Sequence, residues 1–370
     1  MRSTFTIFVI LFSNFIFAQN NFKIKLIAPV FENDSLFIGP AADIGNAGKI
    51  YNFTVEPNSN VSFLKDFNTV VARIKKDPII IEGKIDYPQL MNISYYDPKI
   101  NGGYLTKPFF IEKGNFIISV NKNKNLDYLL ETNSPANLEY QKLRLALESY
   151  NKKLKPYVEN DAKDIQAKHT FLQKYIKNNP NSFVAFWETV NDFSRFGFNK
   201  SYVKNLTLFS KNIKKTYSYI EFKKILDVEN STNVGGNFPD IFFENDEKIT
   251  KLDFSKYNLT VIDYWSTTCK PCIEDLPKLV SLYEKYKDKN VNFISISDDI
   301  QKEKMDLAER ILKKNNVQWK NYFDVKKEFP KKLNASGYPL QILVDSNGKI
   351  VERKLGELDQ IEVAIQNYIK

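Results

Sequence analysis

At 370 residues, with 43% hydrophobic and 26% charged positions, the chain is too long for one ordinary core and too apolar for global disorder, so two or three folded domains are expected. Its formal charge of +9 comes from lysines interleaved with acids, with no run of five basic residues, which argues for a solvated surface and against a nucleic-acid partner or an anionic membrane footprint. Two cysteines at Cys269 and Cys272 exclude a multi-bridge disulfide framework and point to local chemistry.

The N-terminus runs from Met1-Arg2 through an apolar stretch, Phe5 to Phe17, to a small residue at Ala18. That is the form of a secretory signal peptide over residues 1–18. The stretch falls short of the roughly 20 apolar residues a spanning helix needs, so cleavage is favoured over an uncleaved anchor, and the expected location is the periplasm or cell envelope. No cysteine near the cleavage site could carry a lipid.

Residues 19–133 read as short strands between turn clusters: Phe22 to Ile27, Ser35 to Ile38, Pro78 to Gly83, Met91 to Tyr96, Phe109 to Glu112 and Phe116 to Val120. An antiparallel, sandwich-like β-rich domain is the economical assembly. Ser134-Pro135 then offers a capping residue and a proline at the first helical position, which opens a helical region over 134–227. Further helices are expected from about Asn160 and Ser182. The polar, glycine-ended stretch 228–236 reads as a linker.

From 237 to 370 the rhythm changes. Leu259 to Trp265 is a near-continuous apolar strand, a helix follows from about Cys269, and Val291 to Ile296 makes the next strand. A helix over Gln301 to Asn315, a hairpin of Leu340 to Asp345 with Ile350 to Lys354, and a closing helix from Glu357 complete the order β-α-β-α-β-β-α. That is the order of a thioredoxin-like α/β fold.

Cys269-Lys270-Pro271-Cys272 lies at the first turn of the helix after the apolar strand. Thiol-disulfide exchange needs an accessible thiolate and a second thiol near enough to resolve the mixed disulfide. Unpaired N–H groups at a helix start favour negative charge on Cys269, and Cys272 lies one turn on, more buried. Lys270 adds a positive charge beside the attacking sulfur, and Pro271 fixes a helical φ. Zinc would need about four ligands, and the chain has two cysteines and one histidine, His169, expected on the solvated surface. An inert disulfide and a peroxide-reducing cysteine are the other readings weighed; exchange chemistry is preferred.

The segment Val261-Ile-Asp-Tyr-Trp-Ser-Thr-Thr-Cys-Lys-Pro-Cys-Ile-Glu-Asp-Leu-Pro277 resembles the signature of the TlpA/ResA-type thioredoxin-like family of exported bacterial oxidoreductases. So do Asn237-Phe-Pro-Asp240 and Gly337-Tyr-Pro-Leu-Gln-Ile-Leu-Val-Asp345. The resemblance covers about the last 135 residues; the region before them is similar to an N-terminal domain of unknown function fused to such modules. It implies a cis Pro339 preceded by Tyr338 and packed on the cysteine pair. It also implies a buried acid at Asp263 that takes the proton of Cys272, Trp265 under the active-site loop, and a kink at Pro277. Asp275 stands where family members carry a glutamate, and Thr268 where thioredoxin has a second tryptophan.

With no further cysteine and no nucleotide-binding motif, no cofactor is expected beyond the Cys269–Cys272 redox pair. The expected partners are disulfide-containing proteins and a membrane-borne thiol donor, with the N-terminal region available for dimerisation. The alternative function is a binding or scaffold protein whose N-terminal domain recruits a partner.

Overall fold

The computed structural model describes residues 21–42, 47–75, 78–122, 126–156, 160–335 and 337–369. The expected signal peptide, 1–18, lies outside the described residues. The chain divides into two compact units. One comprises residues up to Gly197 with Leu208–Ile220, the other Phe198–Thr207 with Glu221–Lys370.

The first unit is built on strands β1 (Asn21–Ile27), β2 (Ser35–Pro40), β3 (Phe53–Val55), β4 (Val61–Leu64), β5 (Thr69–Arg73) and β6 (Ile79–Ile85). Then come β7 (Gln89–Asp97), β8 (Gly102–Leu105), β9 (Phe109–Ile111), β10 (Gly114–Lys122) and β11 (Leu126–Glu131). They form two sheets, ordered β11-β10-β1-β6-β3 and β4-β5-β2-β7-β8, with β9 on β7. Alternation drives this: Phe22, Ile24 and Leu26 of β1 are buried while Asn21, Lys23 and Lys25 are exposed. Ring contacts join the sheets, Phe53 to Phe63 at 5.2 Å and Phe109 to Tyr128 at 5.2 Å. The sandwich is not wholly antiparallel, since β1 and β10 pair in parallel.

Helices α1 (Pro135–Asn151), α2 (Ala162–Asn178) and α3 (Phe183–Phe196) follow, capped by Ser134, Asp161 and Ser182 through side-chain bonds to helix N–H groups. The helical region continues with α4 (Lys200–Leu208), α5 (Lys211–Lys214) and α6 (Tyr217–Thr232). His169 is buried at 2% exposure rather than solvated, because it faces inward on α2 with Leu172 and Ile176. The stretch 228–236 is not a free linker. It is helical to Thr232, Glu229 pairs with Arg353 at 3.4 Å, and Gly235 N–H donates to Ile350 O at 2.8 Å.

The second unit opens with β12 (Ile241–Phe242), β13 (Lys248–Ile249) and α7 (Lys251–Phe254). Its sheet is ordered β16-β15-β14-β17-β18, from β14 (Leu259–Trp265), β15 (Val291–Ser297), β16 (Lys320–Phe323), β17 (Leu340–Asp345) and β18 (Ile350–Leu355). The β14–β15 and β15–β16 pairs are parallel; β14–β17 and β17–β18 are antiparallel. Helices α8 (Lys270–Tyr286), α9 (Lys302–Lys314), α10 (Glu328–Leu333) and α11 (Leu358–Ile369) complete a thioredoxin-like fold.

All seven residues of β14 are buried, as a central strand covered on both faces requires. Leu259 and Val261 pack with Leu279, Leu282 and Ile361 of α8 and α11. Ile262 and Tyr264 pack on the opposite face with Phe329 and Leu333 of α10. Trp265, on the same face as Val261, joins both cysteines, Leu276 and Ala308 in a third cluster.

Candidate active site

The site grows out of the C-terminal end of β14. Three hydroxyl residues follow it, and Cys269 then caps α8, its sulfur accepting from Cys272 N–H at 3.2 Å. Pro271 lies in the first turn, where its missing N–H costs nothing, and Pro277 lies within the helix. The two sulfurs are joined in a disulfide. In this oxidised form both are buried, Cys269 at 7% exposure and Cys272 at 4%, because Trp265, Leu276, Ile273 and Tyr338 surround them. Lys270 faces solvent: its side chain is 85% exposed and its charge faces Glu274 at 3.6 Å.

Asp263 lies between Val261 and Trp265 on the strand face that α8 covers, and is 5% exposed. Burial pushes its carboxyl up to about 7; Gln341 Nε2–H, donating to Oδ1 at 3.0 Å, opposes the shift, and the charge of Asp275 adds to it. Asp275 itself is half-buried and its carboxyl is shifted upward, first by burial, with Lys278 opposing. Trp265 is fully buried, and its indole N–H donates to Asn321 Oδ1 at 3.0 Å.

The Tyr338–Pro339 peptide bond is cis. Tyr338 packs against the cysteine cluster and against the core on the other face of the sheet. Its hydroxyl donates to Asp298 Oδ2 at 3.0 Å. The structure thus brings Cys269, Cys272, Asp263, Trp265, Asp275, Tyr338 and Pro339 to one end of the sheet and leaves Lys270 facing solvent.

Two acids that sequence reasoning passed over hold the site. Asp299 is buried and accepts from Ser266 Oγ at 3.2 Å, Thr267 N at 2.9 Å, Thr267 Oγ1 at 2.7 Å and Ser297 Oγ at 2.8 Å. It thereby clamps the loop that delivers Cys269. Asp298 accepts from Tyr264 and Tyr338 and pairs with Lys327 at 2.7 Å. The available signal was position: Asp298 and Asp299 end a parallel strand beside β14, where open α/β sheets place their functional loops.

Comparison with known proteins gives the family of the second unit. Residues 257–350 match the thioredoxin-like family model Thioredoxin_8. The thiol-disulfide oxidoreductase ResA of Bacillus thuringiensis subsp. konkukian is 30% identical over 125 residues, 34% of this chain and 68% of that protein. The chain belongs to the ResA-type thiol-disulfide oxidoreductases. Another relative, the sporulation thiol-disulfide oxidoreductase A of Bacillus subtilis, is 23% identical over 104 residues, 28% of this chain and 63% of that one. Among solved structures, the thioredoxin domain of a thiol-disulfide oxidoreductase from Bacteroides vulgatus is 23% identical, covering 37% of this chain and 98% of that one with a TM-score of 0.33. The ResA-type chain is therefore a thioredoxin-like enzyme acting on disulfides, and the paired cysteines are spaced for that chemistry.

Proposed function

We propose that the enzyme is exported and reduces disulfides in partner proteins, with Cys269 as the attacking thiol, Cys272 as the resolving thiol and Asp263 as the base. The Cys269 thiolate attacks one sulfur of the substrate disulfide, forming a mixed disulfide and releasing the other sulfur as a thiolate. Asp263 takes the proton of Cys272, whose thiolate then attacks Cys269 and releases the second substrate sulfur. Two electrons pass from dithiol to substrate. The oxidised pair is recharged by a thiol donor protein, membrane-borne in this reading.

The observation that carries this reading is the placement of Asp263. It is a buried carboxyl titrating near neutrality, on the strand face beneath the helix that begins at the cysteine pair. Helix N–H groups at Cys269 favour the charged form of the attacking sulfur. Tyr338, packed on the same cluster, and the cis Pro339 that follows it form the wall against which a substrate strand would lie. Insulin reduction by the full chain in the presence of a dithiol tests the assignment. Wild type is expected to accelerate precipitation and Cys269→Ser to match the background; equal rates would refute it.

A further inference from the structure

Gln341 is a polar residue in the middle of β17, a strand whose six residues are all buried. It stands directly across from Asp263 in the β14–β17 register, and only 1% of its surface is exposed. Its Nε2–H donates to Asp263 Oδ1 at 3.0 Å, while its Oε1 has no partner among the described residues. A glutamine kept for packing gains nothing here over an apolar side chain of equal length, which would leave no buried carbonyl unpaired. The one end it uses is aimed at Asp263, on the strand face that α8 covers.

We infer that Gln341 is the positioning residue of Asp263: its N–H occupies Oδ1 and leaves Oδ2 as the oxygen that receives the Cys272 proton. The inference deepens, and rests on, the reading of Asp263 as the base. Donation from Gln341 favours the ionised carboxylate and so opposes burial and the charge of Asp275, which together hold the group near 7. Without the amide the carboxyl is protonated at neutral pH, and a base that already carries a proton cannot take another.

The groups around Asp263 are few. Asp275 of α8 is the titratable group acting on it, with Glu274, Lys278 and Asp359 acting in turn on Asp275. The flanking strands place Ser295 and Gln341 opposite it, neither of which ionises. In the resolving step the Cys272 proton moves to Asp263 Oδ2 and the Cys272 sulfur bonds to Cys269 Sγ. The bond from Cys269 to the substrate sulfur breaks, and that sulfur leaves with the electron pair and takes a proton from the medium.

The test mixes the reduced full chain with a chromogenic aryl disulfide in a stopped-flow instrument across pH. The first coloured thiolate reports attack by Cys269 and the second reports resolution by Cys272. Gln341→Met is expected to leave the first phase unchanged and to move the midpoint of the second upward by roughly one pH unit. In an Asp263→Asn background the same substitution should add nothing. If Asp263→Asn slows the second phase but Gln341→Met leaves its midpoint in place, the inference is overturned and the base assignment stands. If Asp263→Asn leaves the second phase untouched, the base assignment falls and the inference with it. Should Gln341→Met not fold, Gln341→Asn withdraws the amide by one methylene and is held to the same upward shift.

Discussion

Tyr338, the residue in front of the cis proline, is tied to Asp298 at the end of β15 by a 3.0 Å hydrogen bond. The same carboxylate accepts the Tyr264 hydroxyl and pairs with Lys327 at 2.7 Å. Burial and the neighbouring negative charge push the Tyr338 hydroxyl up to about 12 and the Tyr264 hydroxyl upward as well, so both stay protonated as donors. The loop that would face a substrate strand is therefore held by an acid outside the Cys269–Cys272 motif.

Asp298→Ala removes that hold. Reduction of a protein disulfide is expected to fall about tenfold, the rate equivalent of about 1.4 kcal/mol, while attack on a small aryl disulfide stays within about twofold. Asp298→Asn, which keeps an acceptor for Tyr338, should recover most of the loss. Equal losses on both substrates would show that Asp298 acts on the sulfur and not on the loop.

Asp263 makes the fold pH-dependent. Its carboxyl binds a proton more tightly folded, at about 7, than at its ordinary 3.8. Stability from this group is thus complete below the lower value and drains away as pH rises through the higher one, by up to roughly 4 kcal/mol. Asp263→Asn should therefore stabilise the oxidised protein by about 2–4 kcal/mol at pH 8 and by little at pH 4. Urea unfolding at both values measures this, and a gain independent of pH would contradict it.

The second unit was legible where burial is continuous. Leu340–Asp345 has the bounds the apolar run suggests, and β14 and β15 are long buried strands. Strand β16, Lys-Asn-Tyr-Phe over Lys320–Phe323, was not, because it is a partly exposed edge whose only apolar pair sits at one end. In the first unit β3 spans three residues, too short to show alternation. The parallel β1–β10 pairing was invisible because side-chain alternation is the same in either strand direction. Likewise Asp298 and Asp299 look like ordinary loop acids until the parallel register sets Ser297 beside Trp265.

Asp299 is the hinge pin of the cysteine loop, with Ser266, Thr267 and Ser297 all donating to one buried carboxylate. Asp299→Ala strands these donors and should cost about 2–4 kcal/mol. Hydrogen exchange should rise at Thr267 and Thr268 before it rises elsewhere in the second unit. Asp299→Asn keeps a single acceptor oxygen and should fall between the two. A variant as stable as wild type would mean that the clamp is ornamental.

Lys168 carries the deepest charge cluster of the first unit. Its ammonium lies 2.5 Å from Asp192 and 3.3 Å from Glu188, with the three side chains 0%, 0% and 4% exposed. Burial pushes both carboxyls upward, and Lys168 and Arg195 oppose it. Lys168→Met removes the main opposing charge, so the acids must either take protons or ionise without it. The expected loss is about 3–5 kcal/mol. It should deepen as pH rises, because the acids' folded proton affinity has gone up and ionising them costs more. Combining it with Glu188→Gln and Asp192→Asn leaves no charge of the trio to be paired and should restore most of the stability. Circular dichroism through a urea titration at pH 6 and pH 8 follows both variants. A Lys168→Met protein within about 0.5 kcal/mol of wild type at both values, no more than an ordinary surface change costs, would remove the cluster from any account of what holds the first unit together.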